Sequence, residues 1–168
     1  MNMFLDGPNG IGKSYACEQL VNSGEFKRIV HHTLPKVFNR ILMMTSYKAK
    51  MVFCKDTVFD RSWYSEWVYG LLYRQKSVLS IKDIRSLDAF AIRRGIIVNI
   101  IVPINSFDAF SRMIDAHDKE KHPITPSYTE YDRICKLYDM CAQLSGKRTN
   151  NINVYVWQWL EDVKHGRS

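Results

Sequence analysis

At 168 residues, 46% hydrophobic, 24% charged and 12% aromatic, the chain has the size and composition of one globular domain, which excludes a disordered tail, a collagen-like chain and a low-complexity linker. Its longest nearly uninterrupted apolar run, Gly95 to Ile104, is shorter than the roughly 20 residues of a bilayer span. The segment Met1 to Asp6 lacks a basic stretch followed by a long apolar one, so neither membrane insertion nor secretion is expected. A net charge of +7 suits an anionic ligand, either a nucleotide or a nucleic acid.

In chain order, Met1 to Asp6 reads as a short strand that runs into a glycine-rich turn. Lys13 to Ser23 has helical spacing, with Cys17, Leu20 and Val21 on one face. Phe26 to His31 is a second strand. Pro35 suits a first helical turn, and a helix to about Phe53 follows. One stripe of it holds Val37, Ile41 and Met44, with Phe38, Leu42 and Ala49 beside it. Thr57 to Phe59 is a third strand that ends at Asp60. Helices follow over Ser65 to Arg74 and Ser80 to Arg94, the second opened by a Ser80–Asp83 capping pattern and closed by Gly95. Ile96 to Val102 is a β-branched strand expected to be buried on both faces. A helix around Phe107 to Ile114 leads into the polar stretch Asp115 to Ser127. A helix from Tyr128 to Leu144, a strand at Val154 to Val156 and a helix from Trp159 to His165 complete the chain. Strands alternating with helices imply an α/β fold with a parallel sheet and right-handed crossovers.

Gly7-Pro8-Asn9-Gly10-Ile11-Gly12-Lys13-Ser14 fits G-x-x-x-x-G-K-[ST] and lies where that motif must lie, after a strand and opening a helix. Its glycines let backbone N–H groups of Asn9 to Tyr15 turn inward on phosphate oxygens. Lys13 is placed to reach the terminal phosphates of ATP, and the Ser14 hydroxyl is the expected Mg²⁺ ligand. The positive end of the helix that begins at Lys13 adds to the anion site. Asp60-Arg61-Ser62 follows the third strand, at the edge where open α/β sheets bind ligands. Asp60 is thereby expected to organise Mg²⁺ beside the loop, and Arg61 to fork onto the phosphate of a second substrate.

The phosphate loop, followed by Asp60-Arg61-Ser62-Trp63-Tyr64-Ser65-Glu66-Trp67-Val68-Tyr69-Gly70, resembles the thymidylate kinase-like P-loop kinases, above all the compact deoxynucleotide kinases of bacteriophages. The resemblance extends in element order over nearly the whole chain. It implies one three-layer P-loop kinase domain over 1–168, with a five-stranded parallel sheet flanked by helices. It also implies phosphoryl transfer from ATP, with Mg²⁺, to a deoxynucleoside monophosphate, dTMP first among them, in the cytoplasm (the host's, for a viral protein). Acceptor-binding helices are expected over about 35–94 and a lid over about 112–127. Two positions depart from the family's pattern: Asn9, where an acidic residue is usual, and Thr33-Leu34-Pro35, where the second strand usually ends in Arg-Glu-Pro.

Lys13, Arg61 and Asp60 are the expected catalytic residues. Asp6, Phe38, Arg40, Trp67, Tyr69 and Arg74 join Arg61 as candidates for the acceptor pocket, where an aromatic face can stack on a base. A core role competes for each aromatic, and a solvated position for each arginine. Arg112, Lys119 and Lys121 are the candidate lid cations, expected to close over the triphosphate. A kinase acting on a hydroxyl, of a deoxynucleoside or within DNA, is the alternative; it wants a carboxylate to take the proton, for which Asp60, Asp6 and Glu66 are the candidates. DNA ranks below a free nucleotide as partner, and pairing of two copies is left open. A non-enzymatic nucleotide-binding protein is disfavoured by the intact Lys13-Ser14 and Asp60-Arg61. The four cysteines form no CxxC pair and no zinc spacing, so reduced thiols in a cytoplasmic protein are expected.

Overall fold

In a computed structural model, which describes residues 1–32, 39–120 and 126–166, five strands run parallel. They are β1 (Asn2–Asp6), β2 (Arg28–His31), β3 (Thr57–Asp60), β4 (Ile97–Pro103) and β5 (Asn150–Ile152), in the order β2-β3-β1-β4-β5. Parallel neighbours cannot be joined by a hairpin, so every connection crosses over through helix. These are α1 (Lys13–Asn22), α2 (Arg40–Phe53), α3 (Trp63–Arg74), α4 (Ile81–Arg93), α5 (Ser106–Glu120) and α6 (Tyr128–Ser145), with α7 (Val156–Lys164) after the last strand. The five-stranded parallel α/β sheet expected from the sequence is observed.

β1 lies at the centre and all of its residues are buried. Phe4 stacks on Phe59 at 4.3 Å and tilts against Trp63 at 5.0 Å, so β1, β3 and α3 share one aromatic core. The chain leaves β1 toward β2 on one side and later returns as β4 on the other. The carboxyl ends of β1, β3 and β4 therefore open on a common crevice at this reversal, the position where open α/β sheets take their ligands. Local signals set the helix starts. Asn39 caps α2 through Ile41 and Leu42, Ser62 caps α3 through Tyr64, and capping boxes Ser80–Asp83 and Ser127–Glu130 open α4 and α6.

Several boundaries differ from the sequence reading. α3 begins at Trp63, two residues early, because Ser62 supplies the cap. In α2 the buried face is Met43, Tyr47 and Met51, while Ile41 and Leu42 are 70% and 60% exposed. Four successive apolar residues, Ile41 to Met44, leave the phase of that helix ambiguous in the sequence; Val37 and Phe38 lie outside the described residues. The first half of β4 is not covered on both sides: Ile97 is exposed, because β5 pairs only with Ile101 to Pro103. α5 runs on to Glu120, through a stretch whose composition reads as loop. The last strand is Asn150–Ile152, not Val154 to Val156; Tyr155 instead caps α7, and the Val156 N–H donates to Ile11 O at 3.1 Å.

Cys17, Cys135 and Cys141 are free and buried, and burial pushes the Cys17 and Cys135 thiols up to about 12. They are core residues. Among the described residues no helix is long and apolar enough to cross a membrane.

Candidate active site

The turn from β1 into α1 is held on three sides. Gly7 passes so close to β4 that a Cβ would stand 2.1 Å from Ile101 O. Gly10 has φ of 79°, and a Cβ there would meet the Met113 Cβ of α5 at 2.4 Å. From α6, the Tyr131 hydroxyl donates to Asn9 O at 2.9 Å. Gly12 ends the turn as the cap of α1, whose first-turn N–H groups have no acceptor within the helix. Inside the loop, Lys13 is only 5% exposed, and its ammonium donates to Pro8 O at 2.5 Å. Burial lowers it to about 8, with the Asp60 carboxylate pulling the other way.

Asp60, at the carboxyl end of β3, faces this loop. Its Oδ2 accepts from Ser14 Oγ at 2.6 Å and stands 3.0 Å from His31 Nδ1. Its Oδ1 is buried with no hydrogen-bond partner. The two oxygen donors expected to serve Mg²⁺ are thus brought together, and the orphaned oxygen fits a hard cation or its water shell. The sequence alone assigns His31 no role. It reaches Asp60 because β2 and β3 pair in a register that places the two side by side, which only strand pairing reveals.

Arg61 is the next residue, and its backbone is unusual. Its φ of 79° is left-handed, a conformation that costs a non-glycine residue about 1–3 kcal/mol and concentrates at functional sites. Its N–H donates to Leu5 O at 2.9 Å, which ties the bend to β1. The bend carries the guanidinium across the crevice, where Nη2 donates to Asn9 Oδ1 at 2.9 Å and the group lies over the Tyr69 ring at 5.6 Å. The Tyr69 hydroxyl is buried without a partner. Arg61 and Tyr69 therefore form one wall that meets the phosphate loop at Asn9.

Other expected acceptor residues make contacts within the fold. Asp6 is fully buried and accepts six hydrogen bonds, from the N–H groups of Gly7, Ser62 and Ser65 and the hydroxyls of Ser62, Ser65 and Tyr138. It fastens β1 to α3 and α6 and has no lone pair left for a ligand. Arg40 forks onto Asp83 at 2.8 and 2.5 Å, joining α2 to the cap of α4. Arg74 pairs with the buried Glu66 at 2.5 Å. Trp67 belongs to the hydrophobic core. Phe38 and Lys121 lie outside the described residues, as does the side chain of Lys119 on the last turn of α5. Arg112, next to the Met113 that packs on Gly10, holds its guanidinium 5.1 Å from the ring of Tyr155, the residue against Gly12; its Nε is buried without a partner. That cation thus stands beside the phosphate loop.

At the end of β2, His32 packs edge-on to Tyr47 at 4.3 Å, and its Nδ1 accepts from the Lys50 ammonium at 2.5 Å. Burial, with Lys50 beside it, lowers the imidazole to about 4.

No protein-family model and no curated protein matches the sequence. Solved structures match the fold. The YorR protein of Bacillus subtilis, in complex with phosphorylated GDP, superposes with a TM-score of 0.71 at 16% identity, over 100% of this chain and 99% of that one. Deoxyadenosine kinase from M. mycoides with bound dATP gives 0.60 at 13% identity, and the same enzyme with dCTP gives 0.59 at 14%, each over 99% of this chain and 98% of the other. At these identities the likeness establishes a shared fold along the whole chain.

Proposed function

We propose that this protein is a kinase that transfers a phosphoryl group from ATP to a deoxynucleoside monophosphate, dTMP first among them, giving the diphosphate. The observation that carries this reading is Arg61, bent out of β3 in a strained conformation so that its guanidinium spans the crevice to Asn9 of the phosphate loop. A fork held there can take an acceptor phosphate on one side while the loop holds the triphosphate on the other. A phosphate acceptor is already anionic and needs no strong base, so catalysis rests on position and charge. Lys13 swings from Pro8 O to the terminal phosphates, and Arg112 adds positive charge from α5. Ser14 and Asp60 would hold Mg²⁺, which supplies charge neutralisation on the phosphates.

A hydroxyl acceptor is the second reading, favoured by the deoxyadenosine kinase structures that share the fold. It needs a carboxylate free to take a proton. Asp6 is saturated by its six donors, Glu66 is fully buried with Oε1 on Arg74, and Asp60, whose Oδ1 has no partner, is the carboxylate that the Mg²⁺ site would use. A monophosphate acceptor needs no such base, which favours that reading.

Arg61→Lys separates the two. Lysine keeps the charge and loses the fork. With a monophosphate acceptor, its KM rises about ten- to a hundredfold, on the roughly 1.5–3 kcal/mol of a charge-assisted hydrogen bond, while the KM for ATP stays within about twofold. A fall in kcat with little change in acceptor KM would instead assign Arg61 to the transferring group and favour the hydroxyl reading.

A further inference from the structure

At the other end of the sheet from the phosphate loop, the amino ends of the strands meet the carboxyl ends of α2 and α4. Here the Phe90 ring carries the Lys48 ammonium at 5.8 Å and the Arg94 guanidinium at 5.2 Å. Phe90, Arg93 and Arg94 line a concavity of about 420 Å³. Arg94 also borders a second one, of about 270 Å³, which Lys55 lines as well. None of Lys48, Lys55, Arg93 and Arg94 has a carboxylate partner among the described residues. The carboxylate bordering the second concavity, Asp56, is held by Lys27 and the Met1 amine.

Lys48 and Arg94 over one aromatic ring, with Arg93 beside it in the same concavity, concentrate like charge that an incoming polyanion relieves. The pair of adjacent arginines matches phosphate oxygens in forked geometry, and guanidinium and phenyl planes both accept a stacked base. A concavity of this volume is of the size that holds a small organic ligand. The ligand that uses both features is a nucleotide unit, phosphate on the arginines and base on the Phe90–Arg94 face. We propose that this surface is a second nucleotide-binding site, separate from the phosphate loop. The unit comes either from a single strand of DNA or from a free deoxynucleoside triphosphate.

Fluorescence anisotropy distinguishes these sources in the Lys13→Ala background, where binding at the phosphate loop is weakened. The probes are a labelled oligothymidylate and a fluorescent deoxynucleoside triphosphate. A strand site predicts oligothymidylate binding that weakens tenfold or more in Arg93→Glu/Arg94→Glu. The log–log salt dependence then becomes shallower by about 1.4, roughly 0.7 for each phosphate that an arginine no longer neutralises. A free-nucleotide site predicts the same weakening for the triphosphate and no oligomer binding. The milder Arg93→Gln/Arg94→Gln variant, with an unchanged thermal midpoint, shows the weakening with charge removed and the fold intact. Neither pair of substitutions touches the phosphate-loop site, so the basal activity of the protein with Lys13 in place is unaffected by them. Binding of neither probe, or equal binding by the substituted protein, overturns the proposal. So does a change in oligomeric state on substitution, which would make this face an interface between two copies.

Discussion

In the proposed phosphoryl transfer, Lys13 is the residue on which the chemistry turns. It is buried, lowered to about 8 and hydrogen-bonded only within its own loop, so its loss removes positive charge from the transition state without opening the core. Lys13→Ala is expected to cut turnover by about 10²–10³, the cost of a comparable lost donor, with an unchanged far-UV spectrum and thermal midpoint. A soluble variant that keeps a tenth of the rate would remove the loop from the mechanism. His32 gives a prediction about stability. Its folded pKa, about 4, lies below the ordinary 6.5, so between these values the unfolded chain binds more protons. Stability is therefore fully present above about pH 6.5 and falls as the pH drops through 4, by about 3 kcal/mol over the window at most. Denaturant titrations across that range should show the decline, and His32→Gln should flatten it; parallel curves would place the acid sensitivity elsewhere. Residues are legible in the sequence where function packs them contiguously. Gly7 to Ser14 is one run, and Asp60-Arg61 another. Asp6 is not, because saturation of its carboxylate by Ser62, Ser65 and Tyr138 is visible only once β1, α3 and α6 have packed.

The elements that shape the site act on it from outside the motif. α6 fixes the loop through the Tyr131 hydroxyl, α5 seats Met113 against Gly10, and the start of α7 ties Val156 to Ile11. Tyr131→Phe removes one hydrogen bond, worth about 0.5–1.5 kcal/mol. It keeps the ring packed against Phe110 at 5.8 Å. Since that bond holds Asn9, which also receives Arg61, the variant should raise the KM for ATP and for acceptor together, with a modest fall in thermal midpoint. An effect on stability alone would reduce Tyr131 to packing. Helices with a clear polar face and a cap are readable: Ser80–Asp83 and the run to Arg93 are as expected. β5 is not. Its residues Asn150 and Asn151 are polar, and they form a strand only because β4 offers an edge; the apolar Val154 to Val156 has the better strand composition but is drawn toward the loop.

Across the whole molecule, the order β2-β3-β1-β4-β5 brings the loop after β1, the Asp60-Arg61 bend after β3 and α5 after β4 to the same edge of the sheet. Local pattern indicates a parallel sheet, but nothing local states that β3 lies beside β1; that pairing turns a motif and a dipeptide, 46 residues apart at Ser14 and Asp60, into one site. The opposite edge gathers Lys48 and Arg94 over Phe90. The chain is thereby polarised, with the candidate active site at the carboxyl ends of the strands. The direct test is coupled detection of ADP release from ATP and Mg²⁺ across all deoxynucleosides, their monophosphates and single-stranded DNA. ADP should form with deoxynucleoside monophosphates, fastest with dTMP, and the product should be the diphosphate. Turnover confined to deoxynucleosides or DNA, or none with any acceptor, would contradict the account.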